Sequence, residues 1–470
     1  MSDRALLRLS VAAASLGLLG LALVWTAAPP VASGWGADSV RVLGGAILIV
    51  AAGAAVVALV NVDAAWPLSL GLAAAMFSGN WDLIGTPLPL DRVLIAVGLA
   101  SILLRARTSD DVLGGQPRLV HAAIALAAVY AIVSAVLAGT IDDRAARFAL
   151  LDRYGFVPFA LFCTAPVAFA TERQRRILLG TLVAMGGYLS FTAFAERIGV
   201  DALVVPNYIT DDSVGIHADR ARGPFVEAVA NGMALFQCGV AAALFGYLTP
   251  DRRARILAAA IVAASALSLL FTLTRSVWIG SSAALVVAFL SARELRRYLL
   301  PVALLVVVAV SVALAAIPGL SGDISARRAD QVPVWDRRNS NNAALEMLKD
   351  RPLLGFGWFT FAEHSADFMR LGPDYPLTRT GLEEHNVFLS NAVELGLVGL
   401  ILWGGALALA IGGAILRRGP PELRPWRIAL VAIAVQWLVI ANFVPLGYAL
   451  PTAMLWLWAG LVYPPARRDA

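Results

Sequence analysis

The chain has 470 residues, of which 59% are hydrophobic and 15% are charged, and its formal net charge at pH 7 is +5. Soluble globular chains average about 45–50% apolar and about 25% charged residues, so this composition excludes both one large soluble domain and a disordered chain. At about 20 residues per span, the apolar excess can supply a dozen or more transmembrane helices.

Fourteen apolar runs are long enough, or nearly long enough, to be membrane spans. In chain order they cover residues 6–28, 40–60, 64–78, 90–104, 119–139, 153–170, 176–195, 227–248, 256–273, 276–292, 299–317, 386–416, 428–443 and 447–463. The third and fourth runs are short, which makes tilted, re-entrant or paired elements possible and leaves twelve spans as the alternative. Because backbone groups in lipid must be satisfied internally, the runs predict an all-α polytopic bundle.

The basic residues orient this bundle. Lys349 is the only lysine among 37 basic residues, and the arginine clusters beside the spans all fall on one side when the N-terminus is cytoplasmic. The pattern predicts an even number of spans and three regions: an N-terminal bundle over 1–317, an extracytoplasmic helical loop over 318–385, and C-terminal helices with a cytoplasmic tail over 386–470. A second outer loop, 196–226, lies within the first region.

Two outer segments carry arginines that suit an anion. Arg220 and Arg222 precede Gly223 at the entry of a helix, where backbone N–H groups add further donors. Arg275 stands between two hydroxyl residues in the hairpin that joins two spans. Guanidinium groups match phosphate oxygens, whereas a basic loop cap and snorkelling to lipid headgroups are the plainer interpretations.

The long outer loop supplies two further candidates. Residues 338–357 predict an amphipathic helix that ends at a proline and a Gly-rich turn, with Arg338 as a ligand contact or as part of a packing lid. His385 stands where this loop enters a span. It can accept a proton near neutral pH, and Glu384 or Glu383 can orient it.

Together these segments resemble the O-antigen ligase and polymerase superfamily of bacterial membrane glycosyltransferases. The matching elements are Arg222-Gly223-x-Phe225 with Asn231, Thr274-Arg275-Ser276, the run from Arg338 to Pro352-Leu353-Leu354-Gly355-Phe356-Gly357, and His385-Asn386-x-Phe388-Leu389 with Glu394-x-Gly396-x-x-Gly399. The resemblance covers about residues 220–400. The separation of Asn231 from its Gly-x-Phe element and the fourteen candidate spans depart from the family pattern.

The resemblance implies a GT-C-like bundle and a donor glycan linked to undecaprenyl pyrophosphate, used at the outer face of the bacterial inner membrane. Arg222 and Arg275 would bind the pyrophosphate, His385 would deprotonate the acceptor hydroxyl, and Arg220 and Arg338 would make additional phosphate or glycan contacts. The expected partners are this donor, a glycan or lipid A-core type acceptor and membrane lipid. We expect no nucleic acid partner, no metal and no cofactor.

Three alternatives remain at this point. A polymerase of the same superfamily would share the helices, arginines and histidine; the His-Asn element and the single large loop before it favour a ligase. A transporter or flippase for lipid-linked glycans would need charged residues around a central cavity, whereas here they cluster at one surface. A structural component of an envelope complex would not need the outer arginine and histidine set.

Overall fold

A computed structural model describes residue 59 and residues 61–86, 88–108, 119–372, 375–377, 384–417 and 419–463, and none of these lies in a β-strand. The helices are α1 (Ala65–Ala74), α2 (Leu90–Thr108), α3 (Leu119–Leu137), α4 (Arg144–Ala149), α5 (Phe156–Ala168), α6 (Glu172–Ile198), α7 (Ala228–Leu248), α8 (Arg252–Phe271), α9 (Arg275–Ser291), α10 (Arg293–Arg296), α11 (Leu299–Ala316), α12 (Leu320–Ala329), α13 (Val332–Asp350), α14 (Phe361–Phe368), α15 (Val387–Leu407), α16 (Gly413–Leu416), α17 (Arg424–Ile440) and α18 (Ala449–Val462). One π-helical turn, Leu150–Tyr154, joins α4 to α5, and another, Ala408–Gly412, joins α15 to α16.

The prediction of a polytopic helical bundle is confirmed. Among the described residues, eight helical stretches are long and apolar enough to cross a membrane, and three more apolar helices are shorter. Each predicted span from 64–78 onward coincides with a helix. The predicted span 6–28 and nearly all of 40–60 lie outside the described residues.

The centre of the bundle is α18, whose side chains are buried along almost its whole length. Its Trp456 ring packs edge-on against Phe159 of α5 at a centroid distance of 4.7 Å, and the indole N–H of Trp458 donates to the Trp426 carbonyl at 2.9 Å. A Cβ at Gly460 would lie 2.2 Å from the Phe162 carbonyl oxygen, so glycine is required for this approach. In contrast, α11 is apolar all round and exposes most of its side chains, as a lipid-facing peripheral helix does.

The outer loop is helical, as the sequence predicts. The amphipathic helix α13 begins at Val332, earlier than the predicted segment, and buries Ser340, Ala344 and Met347 on one face. The chain then runs through residues 352–357, which we call the bridging segment, to α14. The loop is therefore packed against the bundle rather than extended from it.

The bridging segment repairs a break in α15. Gly396 has φ 70° and ψ −179°, so helical hydrogen bonding stops between residues 387–395 and the rest of the helix. Four hydrogen bonds cross the break: Leu397 N–H to Pro352 C=O (2.8 Å), Val398 N–H to Leu353 C=O (3.2 Å), Phe356 N–H to Val393 C=O (3.0 Å) and Gly357 N–H to Glu394 C=O (2.8 Å). The Tyr130 hydroxyl donates to the Leu395 carbonyl at 2.8 Å. Non-helical backbone at this depth is tolerated because protein groups satisfy it.

Candidate functional site

Arg275 is the first residue of α9 and follows a tight turn from α8. In that turn the Thr272 hydroxyl donates to the Leu269 carbonyl at 2.8 Å, and the Thr274 hydroxyl donates to the Thr272 carbonyl at 2.7 Å. Leu273 is buried with φ 46°, a left-handed conformation that costs a non-glycine residue about 1–3 kcal/mol. The surrounding packing thus stabilises a strained turn, and this turn places Arg275 at the start of α9.

Arg337 of α13 is near enough to Arg275 to be repelled by its charge. The Arg337 Nε–H donates to the Phe443 carbonyl at 3.1 Å, and its guanidinium lies 5.8 Å from the centre of the Phe443 ring. Burial, and then the positive charge of Arg275, hold the pKa of Arg337 below its ordinary value, while Asp336 acts in the opposite direction. Two repelling cations held together without a full counter-charge form an anion-binding arrangement.

Among the described residues, neither Arg275 nor Arg337 forms an ion pair with a carboxylate. The Arg275 side chain donates to the Asp330 backbone carbonyl at 3.4 Å. The Asp330 carboxylate instead lies 3.8 Å from Arg327. An external anion would therefore meet two guanidinium groups whose charge is offset only in part, by Asp336.

Arg220 is also within the electrostatic influence of Asp330. Burial and the charge of Arg327 hold the pKa of Arg220 below its ordinary value, and the charges of Asp219, Glu227 and Asp330 partly offset this. The N–H of Ala221 donates to the Phe271 carbonyl at 3.0 Å and ties the Arg220 segment to the end of α8. Arg220 and Arg275 thus share Asp330 as a neighbour, through its charge and its backbone carbonyl respectively.

A polar cavity of about 320 Å³ adjoins this cluster. Its lining residues are Glu196, Arg197, Asp201, Ile209, Thr210, Asp212, Ala218, Asp219, Arg220, Ala221 and Phe271. Side chains of both charges and one aromatic ring suit a ligand that carries many hydroxyl groups.

His385 reaches the same region through the start of α15. Asn386 caps this helix by accepting from the N–H groups of Phe388 (3.0 Å) and Leu389 (3.1 Å), and its amide donates to Asn442 Oδ1 at 3.4 Å. Asn442 precedes Phe443, whose carbonyl holds Arg337. Residues 441–443 therefore join the histidine segment to the arginine pair.

Glu384 is turned towards α13. Its side chain is 1% exposed, and the Ser340 hydroxyl and the backbone N–H groups of His385 and Asn386 face its carboxyl without closing a hydrogen bond. Burial raises its pKa to about 8, so the carboxyl is largely neutral at pH 7. The structure therefore does not show Glu384 as an ionised carboxylate that orients His385. Glu383 lies outside the described residues.

Comparison with known families gives one match. Residues 259–404 match the family described as O-antigen ligase. This match covers less than half of the chain and supports the resemblance to the O-antigen ligase and polymerase superfamily. The family in general implies a glycosyltransferase-type membrane enzyme that acts on glycans and lipid-linked molecules. A search of curated proteins finds no match.

The matched ligase segment contains Arg275, Arg337, His385 and the break in α15, whereas Arg222 lies before it. Arg222 is 1% exposed, and its guanidinium donates to three carbonyls of its own loop: Ile209 (3.0 Å), Asp211 (2.6 Å) and Val214 (2.6 Å). The structure therefore does not bring Arg222 to the arginine pair, and its geometry is that of a residue that organises the loop.

Asn231 has a related position. Its amide donates to the Ala221 carbonyl at 3.0 Å, and a Cβ on Gly223 would lie 2.7 Å from its side-chain oxygen. The Gly-x-Phe element and Asn231 thus meet in space although several residues separate them in the sequence, and both shape the Arg222 loop.

Within the ligase segment, the two neighbouring arginines of α13 face different ways. Arg338 is exposed and lies 5.5 Å from the centre of the Tyr375 ring, on the face away from the buried stripe of α13. Arg337, which the sequence analysis did not select, is partly buried beside Arg275. The signal was present in the sequence: counting back from Met347 and Ala344 at helical spacing gives Ser340 and Arg337.

Proposed function

We propose that this protein moves a glycan from undecaprenyl pyrophosphate to an acceptor hydroxyl at the outer face of the bacterial inner membrane, as an O-antigen ligase does. The observation that carries the proposal is the pair of neighbouring guanidinium groups, Arg275 and Arg337, which form no ion pair with the described residues and lie in the segment that matches the O-antigen ligase family. A pyrophosphate is the leaving group of this reaction, and paired arginines suit its oxygens.

In the proposed step the acceptor oxygen attacks the anomeric carbon of the donor sugar. The bond between that carbon and the phosphate oxygen breaks, and its electron pair leaves with undecaprenyl pyrophosphate. Arg275 and Arg337 stabilise the negative charge that develops on this leaving group, and such preorganised donors are often the largest catalytic contribution. Arg220 is assigned to the sugar or the second phosphate, beside the polar cavity.

The proton of the acceptor hydroxyl passes to His385. An unperturbed imidazole titrates near neutral pH and is therefore suited to act as a general base. The support from the structure is its placement: residues 441–443 link the start of α15 to Arg337, so a nucleophile near His385 would face a leaving group held by the arginines.

A polymerase of the same superfamily is the second candidate, because it would use the same residues and differ only in taking the growing glycan as its acceptor. Transport is less well supported. The bundle does contain charged side chains, but Arg92 is paired with Asp152 and Arg153 is paired with Glu394. Paired charges of this kind fit helix packing better than a path for a solute.

The test is transfer by the purified protein in proteoliposomes that contain undecaprenyl-pyrophosphate glycan and either a lipid A-core acceptor or a second donor molecule. A ligase adds glycan to the acceptor and releases undecaprenyl pyrophosphate in equal amount, while a polymerase lengthens the donor glycan. Movement of intact donor between leaflets with no release would refute both assignments. EDTA should leave the rate unchanged if the transfer needs no metal, and His385→Ala should remove transfer while the donor still binds.

A further inference from the structure

The first half of α15, residues 387–395, is not held in place by the rest of its own helix. Gly396 interrupts the helix, and the bridging segment supplies the hydrogen bonds across the break. Since His385 directly precedes this half-helix, the position of the imidazole depends on what anchors residues 387–395 to the bundle.

That anchor is a buried ion pair between the half-helix and the π-helical turn that joins α4 to α5. Arg153, in the π-helical turn between α4 and α5, pairs with Glu394, the second-to-last residue before the break. Both side chains are buried, and the Glu394 carbonyl also accepts the Gly357 N–H. A buried charge left without its partner is strongly unfavourable. The two side chains therefore stay paired, and the pair holds the half-helix against the π-helical turn.

Aromatic residues after the bridging segment enclose the same arginine. The Arg153 guanidinium lies 4.8 Å from the centre of the Trp358 ring and 5.6 Å from that of Phe359. Two hydrogen bonds fix Trp358. Its backbone N–H donates to the Ser134 hydroxyl at 3.1 Å, and its indole N–H donates to the Ala146 carbonyl at 3.1 Å. Arg153 therefore contacts both the half-helix, through Glu394, and the Trp358 ring, which is bonded to α4.

We propose that Arg153 and Glu394 are positioning residues that act on the base, His385, through the half-helix 387–395. The inference rests on the proposed function of His385 and deepens it. Neither arginine lies on the half-helix: Arg275 belongs to α9, and Arg337 belongs to α13 and donates to the Phe443 carbonyl. Loss of the ion pair should thus disturb the base and leave the anion site in place.

The experiment compares Arg153→Met, Glu394→Gln and the conservative Arg153→Lys in nanodiscs. A displacement of about 1 Å far from the chemistry can cost about 100-fold in rate, so we expect kcat for glycan transfer to fall by about that factor in the first two variants. The donor KM should change by less than about threefold, because the pyrophosphate contacts remain. Arg153→Lys keeps the positive charge but loses the planar guanidinium beside the Trp358 ring, so it should recover only part of the lost kcat.

Hydrogen exchange provides a readout that does not need activity. The amides of Gly357, Leu397 and Val398 should exchange faster in Arg153→Met and Glu394→Gln, with α18 unchanged as the internal control. A rise in donor KM at constant kcat, or unchanged kcat with unchanged exchange, would overturn the positioning role. If the wild-type protein transfers no glycan, the proposed function fails, whereas the exchange pattern still tests the anchor. If a variant does not fold, Glu394→Gln, which keeps the side-chain shape, decides.

Discussion

Replacing Arg337 by glutamine tests the anion site directly, and the chain offers a matched control in the adjacent residue. Arg337→Gln and Arg338→Gln remove the same charge from successive positions of α13. Arg337 is partly buried and is repelled by Arg275, while Arg338 is exposed above the Tyr375 ring. Only the first change removes a guanidinium from the proposed pyrophosphate site.

The expected loss of affinity is at least about twofold larger for Arg337→Gln than for Arg338→Gln. A hydrogen bond to a charged group contributes about 1.5–3 kcal/mol. This corresponds to about a 10- to 150-fold weaker binding of undecaprenyl pyrophosphate by Arg337→Gln. An exposed charge contributes about 1 kcal/mol or less, so Arg338→Gln should weaken binding by about fivefold at most.

The thermal stability of Arg337→Gln should not fall as its affinity for the anion does. Without a bound anion, Arg337 carries a desolvated charge next to Arg275, and it donates a hydrogen bond to the Phe443 carbonyl. Removing the charge relieves the repulsion while it loses that bond, so the Tm of the empty protein should change little.

The assay is the Kd for undecaprenyl pyrophosphate in nanodiscs, measured at fixed ionic strength beside a thermal unfolding curve for each variant. Equal weakening by the two variants would mean that the arginines contribute only general positive potential. Unchanged binding by Arg337→Gln would refute the assignment of the arginine pair to the leaving group.

Three further predictions concern other parts of the molecule. Gly396→Ala should lower Tm and abolish transfer, because its Cβ would lie 2.0 Å from the Leu353 carbonyl oxygen at a φ of 70°, whereas Gly405→Ala, with open space around it, should be neutral or stabilising; equal Tm values would contradict the break in α15. Arg222→Ala should lower Tm together with activity, since it removes the hydrogen bonds that the buried guanidinium donates to three loop carbonyls; loss of glycan-donor binding at an unchanged Tm would restore Arg222 to the anion site. Burial raises the folded-state pKa of Glu384 to about 8 from 4.5, so its contribution is full below the lower value and is lost as the pH rises through the upper one. Glu384→Gln should therefore gain Tm relative to wild type between about pH 5 and pH 9, and a constant difference would refute the neutral carboxyl.

The spans were predictable because lipid allows few solutions to backbone hydrogen bonding, and a long apolar run between polar ends states where a helix begins and ends. The turn that carries Arg275 followed from the same logic, since a charged residue between two such runs must lie at the membrane boundary. The helical outer loop also followed from the periodicity of residues 338–351.

The break in α15 was not predictable in this way. Residues 386–416 form one continuous apolar run, and glycine is common in transmembrane helices, so Gly396 gave no distinct signal. The interruption exists because the bridging segment, some forty residues earlier, supplies the replacement hydrogen bonds. Such a long-range partnership cannot be read from local pattern.

Arg222 illustrates a different limit. Its neighbours in the sequence are those of an exposed phosphate ligand, and only the three-dimensional path of residues 209–214 shows that their carbonyls surround its guanidinium. Arg337, in contrast, could have been preferred to Arg338 from helical phase alone.

The interlocking of the bridging segment with α15 bears on the design of chimeras between relatives. The hydropathy pattern suggests a region boundary at residue 385. A cut there would separate the bridging segment from residues 393–398, with which it exchanges backbone hydrogen bonds. An exchange of the outer loop intended to change acceptor choice should therefore carry residues up to 398 from the same parent. In chimeras cut at residue 385, the bridging segment and the helix break would come from different parents. Failure of such a chimera would say nothing about acceptor recognition.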